Sequence, residues 1–425
     1  MKPTSLLLAL LPLLLLLPLA AHAAPDWNGE LRAHAEQPLE NARGPLAQAH
    51  RLAPGTAPTP RGSLALEAGL RTQTAYFGAD LYWRQERFEG TTHGHDARVN
   101  ELFTGGDAPL LGEGAAWSAG KKVVAWDVGY GFRPNDVVAQ EPRRLLLPLR
   151  PEGRPLLQAE QFTADGAWTL VWANPQQLHA RAEDSRRGAE SALALRAYRR
   201  EGAADGYGFA RWGARTQGSV GASVAWVAGE AVELHASARW MHRHDGLAAG
   251  PQGGGLGSAN PWREATLGAA SQWLVGATWT NAEQLSLLAE LWHDGTAPPD
   301  TAWSAWAARN AALSALGASA ALPGPLRPAV AGNLAWQATP WTSATSLRRD
   351  NLLLRLTWKH EAWEPVLELL ATPRDRGRSL TAALGWQGDR WRFEGGLRRS
   401  GGPDGAVLAQ LPVRQVSYLA ATLAF

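Results

Sequence analysis

Gln415–Phe425 reads QVSYLAATLAF. Counted back from the end, Phe425, Leu423, Ala421 and Leu419 fall on one side of an extended chain. Ala424, Thr422, Ala420 and Tyr418 fall on the other. Successive side chains of a strand point to opposite faces, so this alternation predicts a strand with an apolar and a more polar side. Its length matches the roughly 9–11 residues of a tilted strand that crosses a bilayer. The segment closes on an aromatic residue, Phe425.

The other end of the sequence points the same way. Lys2 is followed by an uncharged, Leu-rich run over Ser5–Ala20, and Ala21-His22-Ala23 is a small-x-small motif. A basic start, a short apolar core and small residues at the exit predict a cleaved export signal over 1–23. Sixteen apolar residues are short for a membrane helix, and no basic cluster follows them. Every later stretch of about twenty residues holds charge, Pro or Gly. An exported chain bound for a membrane, with no spanning helix, must satisfy its backbone hydrogen bonds in a closed sheet.

Composition agrees. No cysteine occurs in 425 residues, which excludes disulfides and thiolate metal sites. Hydrophobic residues make up 45%, yet the mean hydropathy is −0.24, as expected where apolar residues are spread in alternation. Trp outnumbers Phe and Tyr, 21 against 8 and 6, and Trp favours membrane–water interfaces. The 41 basic and 39 acidic residues nearly cancel, so no nucleic-acid partner is expected.

Two-faced segments recur along the chain. In Leu352–Lys359, Leu352, Leu354, Leu356 and Trp358 oppose Arg355, Thr357 and Lys359. Arg390, Arg392, Glu394 and Arg398 alternate with Trp391, Phe393 and Leu397, and Trp363, Leu367 and Leu369 oppose Glu364 and Glu368. Val232, Leu234, Ala236 and Trp240 oppose Glu233, His235 and Arg239. Leu64–Arg71 and Phe77–Glu86 place Arg71, then Asp80 and Arg84, on the polar side. The apolar sides combine Leu and Trp with Ala and Gly, which suits a lipid-facing surface better than a Val/Ile core. Very short links (at 387–389, and between Trp212 and Val227) contrast with long ones such as Met241–Glu264.

These features predict an all-β, transmembrane antiparallel β-barrel of about 16 strands, with 14 to 18 allowed at roughly 20–25 residues per strand. The barrel is expected over 63–425, after an N-terminal periplasmic or lumenal extension over 24–62. Thr301–Leu322, Ala-rich and stopped by Pro323, predicts a helix inside a long loop. Barrels of this size enclose water. The expected lumen-facing set is Arg71, Arg84, Arg239, Arg355, Glu368, Arg390, Arg392 and Glu394, and its arginines predict a mild anion preference.

The segment richest in chemistry is Ala119–Arg144, AGKKVVAWDVGYGFRPNDVVAQEPRR. Two glycines and a proline break a strand at Gly129–Asp136. With its GK-x-x-x-x-W strand, glycine-rich turn and RP-x-D element, this stretch resembles a porin-like group of outer-membrane β-barrels. The terminal strand resembles the closing strand of Gram-negative barrels, whose assembly machinery reads a terminal Phe. The resemblance implies residence in the cell outer membrane and Phe425 as an assembly signal. Lipid, lipopolysaccharide, the barrel-assembly machinery and small polar or anionic solutes would be the partners, and a homo-oligomer is allowed. It also implies an inward-folded loop whose charges set a field in the pore. Lys121, Asp127, Arg133, Asp136, Arg143 and Arg144 are the candidates to line or brace that constriction. A plainer role is open, in which Arg133 and Asp136 merely pair to hold the turn.

Catalytic, metal and cofactor sites are not expected. His93-Gly94-His95-Asp96 and His242-Arg243-His244-Asp245 place imidazoles near carboxylates, but beside Gly at strand ends, where solvated loops are expected. No G-x-S-x-G elbow or phosphate-binding glycine pattern occurs. The sequence therefore points to a passive channel for small polar solutes or ions through a charged lumen. Two alternatives stay open: a barrel with an occluded lumen serving export or assembly, and an outer-membrane hydrolase.

Overall fold

A computed structural model describes residues 26–89, 93–138, 146–147, 150–174, 190–250, 255–343 and 346–425. The predicted export signal, Arg143 and Arg144 lie outside the described residues. The strands are β1 (Trp27–Glu40), β2 (Ser63–Gln73), β3 (Phe77–Phe88), β4 (His93–Asp107), β5 (Ala115–Lys122), β6 (Arg154–Phe162) and β7 (Gly166–Ala173). Next come β8 (Ala192–Glu201), β9 (Ala204–Gly213), β10 (Gln217–Val227), β11 (Val232–Met241), β12 (His244–Ala249), β13 (Trp262–Leu267) and β14 (Ala270–Thr280). The last six are β15 (Leu285–Asp294), β16 (Asp350–Trp358), β17 (Trp363–Thr372), β18 (Gly377–Gln387), β19 (Trp391–Gly401) and β20 (Val413–Ala424).

Among the described residues, eighteen of these strands form one sheet, and β12 and β13 form a separate hairpin. Each wall strand pairs antiparallel with its neighbour in sequence, and β1 pairs with both β2 and β20, so the sheet closes on itself. The expected class is met, with eighteen strands rather than sixteen. A closed sheet has no open edge.

The barrel begins at Trp27, not at residue 63, which corrects the expected extension. Two features hid β1. Its outward residues Ala33 and Ala35 are small, so the alternation is muted, and Pro38 reads as a break. Pro38 sits where the ladder to β2 has already ended at Glu36 and only β20 is paired, through Val416. A proline is tolerated where a neighbour does not need its missing N–H.

Leu and Trp line the outside: Leu81, Trp83, Trp168, Leu170, Trp172, Trp240, Leu356, Trp358, Phe393 and Leu419 are all exposed. No helix among the described residues is long and apolar enough to cross a membrane. One end of the barrel carries only short links, from 202–203 up to 108–114, together with the start of β1 and the end of β20. Links 41–62, 123–153, 242–269 and 295–349 lie at the other end. The three-residue link 214–216 belongs to that end too, so it is not one of the short-end turns. Glu190 holds it there by accepting the Thr216 N–H at 2.6 Å and an Arg211 guanidinium N–H at 2.9 Å.

The described residues of links 41–62, 242–269 and 295–349 build a cap. It includes helices α1 (Pro45–Leu52), α2 (Asp300–Ala318) and α3 (Arg327–Trp336); α2 falls where the Ala-rich spacing predicted a helix. Leu46 and Ala49 of α1 pack with Leu313, Val330 and Leu334. Trp303 and Trp306 pack with Leu247 and Trp262 of the hairpin and with Val407. Their indoles donate to the carbonyls of Leu347 at 2.8 Å and Gln337 at 2.9 Å. His244 and Asp245 are buried in this hairpin rather than solvated. An N–H of the His244 ring donates to the Gly268 carbonyl, and Asp245 accepts from Arg215.

Candidate functional site: the inward loop and the lumen wall

After β5 the chain turns into the barrel. At the entry the Val123 N–H donates to Glu101 at 2.8 Å. Val124, Trp126 and Val137 then pack on Leu156, Val171, Ala173, Ala194 and Phe209, inward residues of β6 to β9. Further on, Phe132 packs on Leu274, Leu288, Trp292 and Leu353, inward residues of β14 to β16. The rings of Phe132 and Trp292 stack at 5.7 Å. Burying such side chains stabilises by about 1.5–3 kcal/mol each, enough to hold the loop on the wall rather than in water.

Between these apolar contacts lies a polar latch. Asp127 accepts hydroxyl hydrogens from Ser223 at 2.6 Å and Ser237 at 2.8 Å, and N–H bonds from Val128 and Asn135. The Asn135 amide donates to the Ala222 carbonyl and to the Ser223 and Ser237 hydroxyls at 2.9–3.1 Å. Gly221 makes room, since a Cβ there would lie 2.0 Å from the Asn135 side-chain oxygen. Arg239 donates to the Pro134 carbonyl at 3.1 Å. Asp136 accepts the N–H groups of Trp126 and Asp127 at 2.9 and 3.2 Å, and Arg133 lies 3.9 Å from it. Burial pushes the Asp136 carboxyl up to about 6, against the opposing pull of Arg133 and of those two N–H groups.

The predicted constriction residues thus divide. Asp127 and Asp136 are buried inside the latch. Arg133 is half-buried and donates to the Gly129 carbonyl at 2.6 Å. Lys121 pairs with Glu152. Sequence reasoning missed Tyr130, Asn135, Glu290 and the serines of β10 and β11. One signal could have found the covered wall: β7, β14, β15 and β16 carry apolar residues on both faces, as in Leu170-Val171-Trp172 and Leu352-Leu353-Leu354. A lumen face turned apolar is a face that something covers.

The opposite wall, β17 to β20 with β1 to β4, stays charged. Arg32, His34, Tyr82 and Arg84 surround Glu67, with Tyr82 donating at 2.8 Å. Arg71 reaches Glu101 at 3.4 Å, Arg150 reaches Asp80 at 3.4 Å, and Arg355 and Arg398 reach Glu368 at 3.0 and 3.5 Å. Arg392 lies 3.3 Å from Glu394. In these pairs the arginine is the more exposed partner, as in Arg71 and Glu101 (49% against 10%) and Arg355 and Glu368 (26% against 6%). Arg98 with Asp96 and Glu152 reverses the order. Arg390 lies in the turn before β19, at the short-link end. No group of metal-ligating side chains occurs among the described residues.

By sequence, no family description and no curated relative matches this chain. By structure it is similar to OccAB1 of Acinetobacter baumannii, at 11% identity over 94% of this chain and 96% of that one, with a TM-score of 0.51. That likeness is one of fold. OccK11 of Pseudomonas aeruginosa is similar at 10% identity over 94% and 96%, with a TM-score of 0.48. A triple-mutant porin of Rhodopseudomonas blastica is similar at 11% identity over 95% and 100%, with a TM-score of 0.41.

Proposed function

We propose that this barrel is an outer-membrane channel for passive passage of small polar solutes or ions. One observation carries the reading: an apolar outer wall encloses a lumen that is charged on one side and narrowed on the other by a loop latched inside it. The outer Leu and Trp residues suit hydrocarbon, and Trp suits the interface. On this reading residues 1–23 are the cleaved leader, Phe425 is the residue that assembly machinery recognises, and the protein works without chemistry.

Passage is diffusive. An ion entering a narrow pore loses part of its hydration, and fixed charges on the wall offset that loss. Several carboxylates sit deeper in the wall than the arginines they hold, so the water-facing charge on β17 to β4 is weighted towards guanidinium. That weighting favours anions mildly. Refolded protein in a planar bilayer should give discrete conductance steps and a reversal potential on the anion side in a salt gradient. The helical cap makes an occluded barrel the competing account. It would be favoured if conductance appeared only after removal of cap residues 300–343.

A further inference from the structure

The tip of the inward loop is built around one carboxylate. Glu290, fully buried on the inner face of β15, accepts the N–H of Tyr130 at 2.6 Å and that of Gly131 at 2.7 Å. The His235 ring lies 3.0 Å from the same carboxylate. Gly131 must be glycine here, since a Cβ would come within 2.6 Å of Leu353 and 3.0 Å of Glu290. Two consecutive N–H groups on one buried carboxylate fix both the height and the direction of the tip.

One large side chain of this clamp stands in the lumen. Tyr130 is 42% exposed, and the Arg355 guanidinium lies 5.2 Å from the centre of its ring. Arg355 and Arg398 share the carboxylate of Glu368 on the wall beside the ring. Among the described residues, the charges nearest the tip are engaged elsewhere: Asp127 and Asp136 in the latch and Arg133 in the turn, while Lys121 of β5 pairs with Glu152.

We propose that Tyr130 and Arg355 form the selectivity contact of the channel, and that Glu290 is the positioning residue that sets their separation. This rests on the channel reading above. The face of a phenol ring is electron-rich and draws the guanidinium against it. The ring therefore covers one side of the cation that would attract a passing anion, and its bulk narrows the same passage. Tyr130 limits anion flux in two ways at once, while Arg355 supplies the attraction being limited.

The test is bilayer recording of refolded variants under a potassium chloride gradient, with heat-modifiable gel migration as the folding control. Tyr130→Ala should raise conductance and increase the chloride-to-potassium permeability ratio by about two- to fivefold, the weight of one partly exposed cation–π contact. Tyr130→Phe should behave as the parent. Arg355→Gln should lower the ratio, and adding Tyr130→Ala to it should change the ratio no further. Glu290→Gln should widen the spread of conductance levels; levels as narrow as the parent's would overturn its positioning role. A folded, conducting Tyr130→Ala variant with an unchanged ratio would overturn the selectivity contact alone. A parent barrel that does not conduct would overturn the channel reading and this contact with it.

Discussion

The ring of Phe425 lies over Gly29. The two residues exchange both backbone hydrogen bonds, Gly29 N–H to Phe425 at 2.7 Å and Phe425 N–H to Gly29 at 3.0 Å. A Cβ on Gly29 would sit 2.1 Å from a ring carbon. Gly29→Val should therefore displace the ring and weaken the seam by about 1–3 kcal/mol, the usual cost of overpacking. Adding Phe425→Ala should restore part of the loss. The temperature at which the folded band converts to the slower band on gels measures both.

Asn135 joins the loop to two strands with one amide. Asn135→Ala leaves the Ser223 and Ser237 hydroxyls short of a donor and opens space beneath the loop, costing about 1–3 kcal/mol for the lost buried partners. The barrel should remain folded while the loop loosens. Faster protease cleavage near residue 130 in the variant, with unchanged gel migration, is the expected result. Unchanged cleavage would show that the apolar contacts alone hold the loop.

Asp136 makes the latch sensitive to acid. Its carboxyl titrates near 6 in the folded loop, above its ordinary value of roughly 4. The folded state thus holds the proton more tightly than the unfolded chain. Docking should strengthen as pH falls from 7 through about 6, and the gain should be complete below the ordinary value. Amide protection over 124–137, corrected for intrinsic exchange, should rise between neutral and mildly acidic pH. Asp136→Asn should flatten that profile.

Glu368 neutralises one of two arginines. Glu368→Gln leaves Arg355 and Arg398 without their shared counter-charge, so the reversal potential should move further towards the anion side. Movement towards the cation side would mean that these arginines do not face the permeating solution.

Trp303 anchors the cap. Trp303→Ala removes a buried indole that packs on Trp262 and Trp306, at a cost of about 3–5 kcal/mol to the cap. The eighteen-stranded wall makes none of those contacts. Cleavage within 295–349 should accelerate while the heat-modifiable band stays in place.

The wall was legible in the sequence wherever its two faces differ in chemistry. Leu354 against Arg355, or Trp391 against Arg392, announces both strand and face. It was illegible where the faces agree. β1 presents alanines outside, and β7 and β14 to β16 carry inward apolar residues such as Val171, Leu274, Trp292 and Leu353 where the loop covers them. Alternation reports the contrast between two environments, so it fails wherever lipid and loop offer the same one. The candidate site was harder still. The break at Gly129–Asp136 was visible, but its partners Ser223, Ser237 and Glu290 lie some 90 to 160 residues away, and no local spacing encodes them.

The pairing of β1 with β20 also sets an order of events. Glu30 meets Ala424 and Pro38 meets Val416, contacts separated by nearly the whole described chain. Contacts so distant in sequence form late, because a long loop must close before they are rewarded. Until then β1 offers one unpaired row of N–H and C=O groups, as does whichever strand has most recently joined the sheet. Both are templates for pairing with a neighbouring chain. Loss of 413–424 would therefore not shorten the barrel by one strand but leave β1 and β19 as two exposed edges, and aggregation rather than a smaller pore is the expected fate of such a molecule.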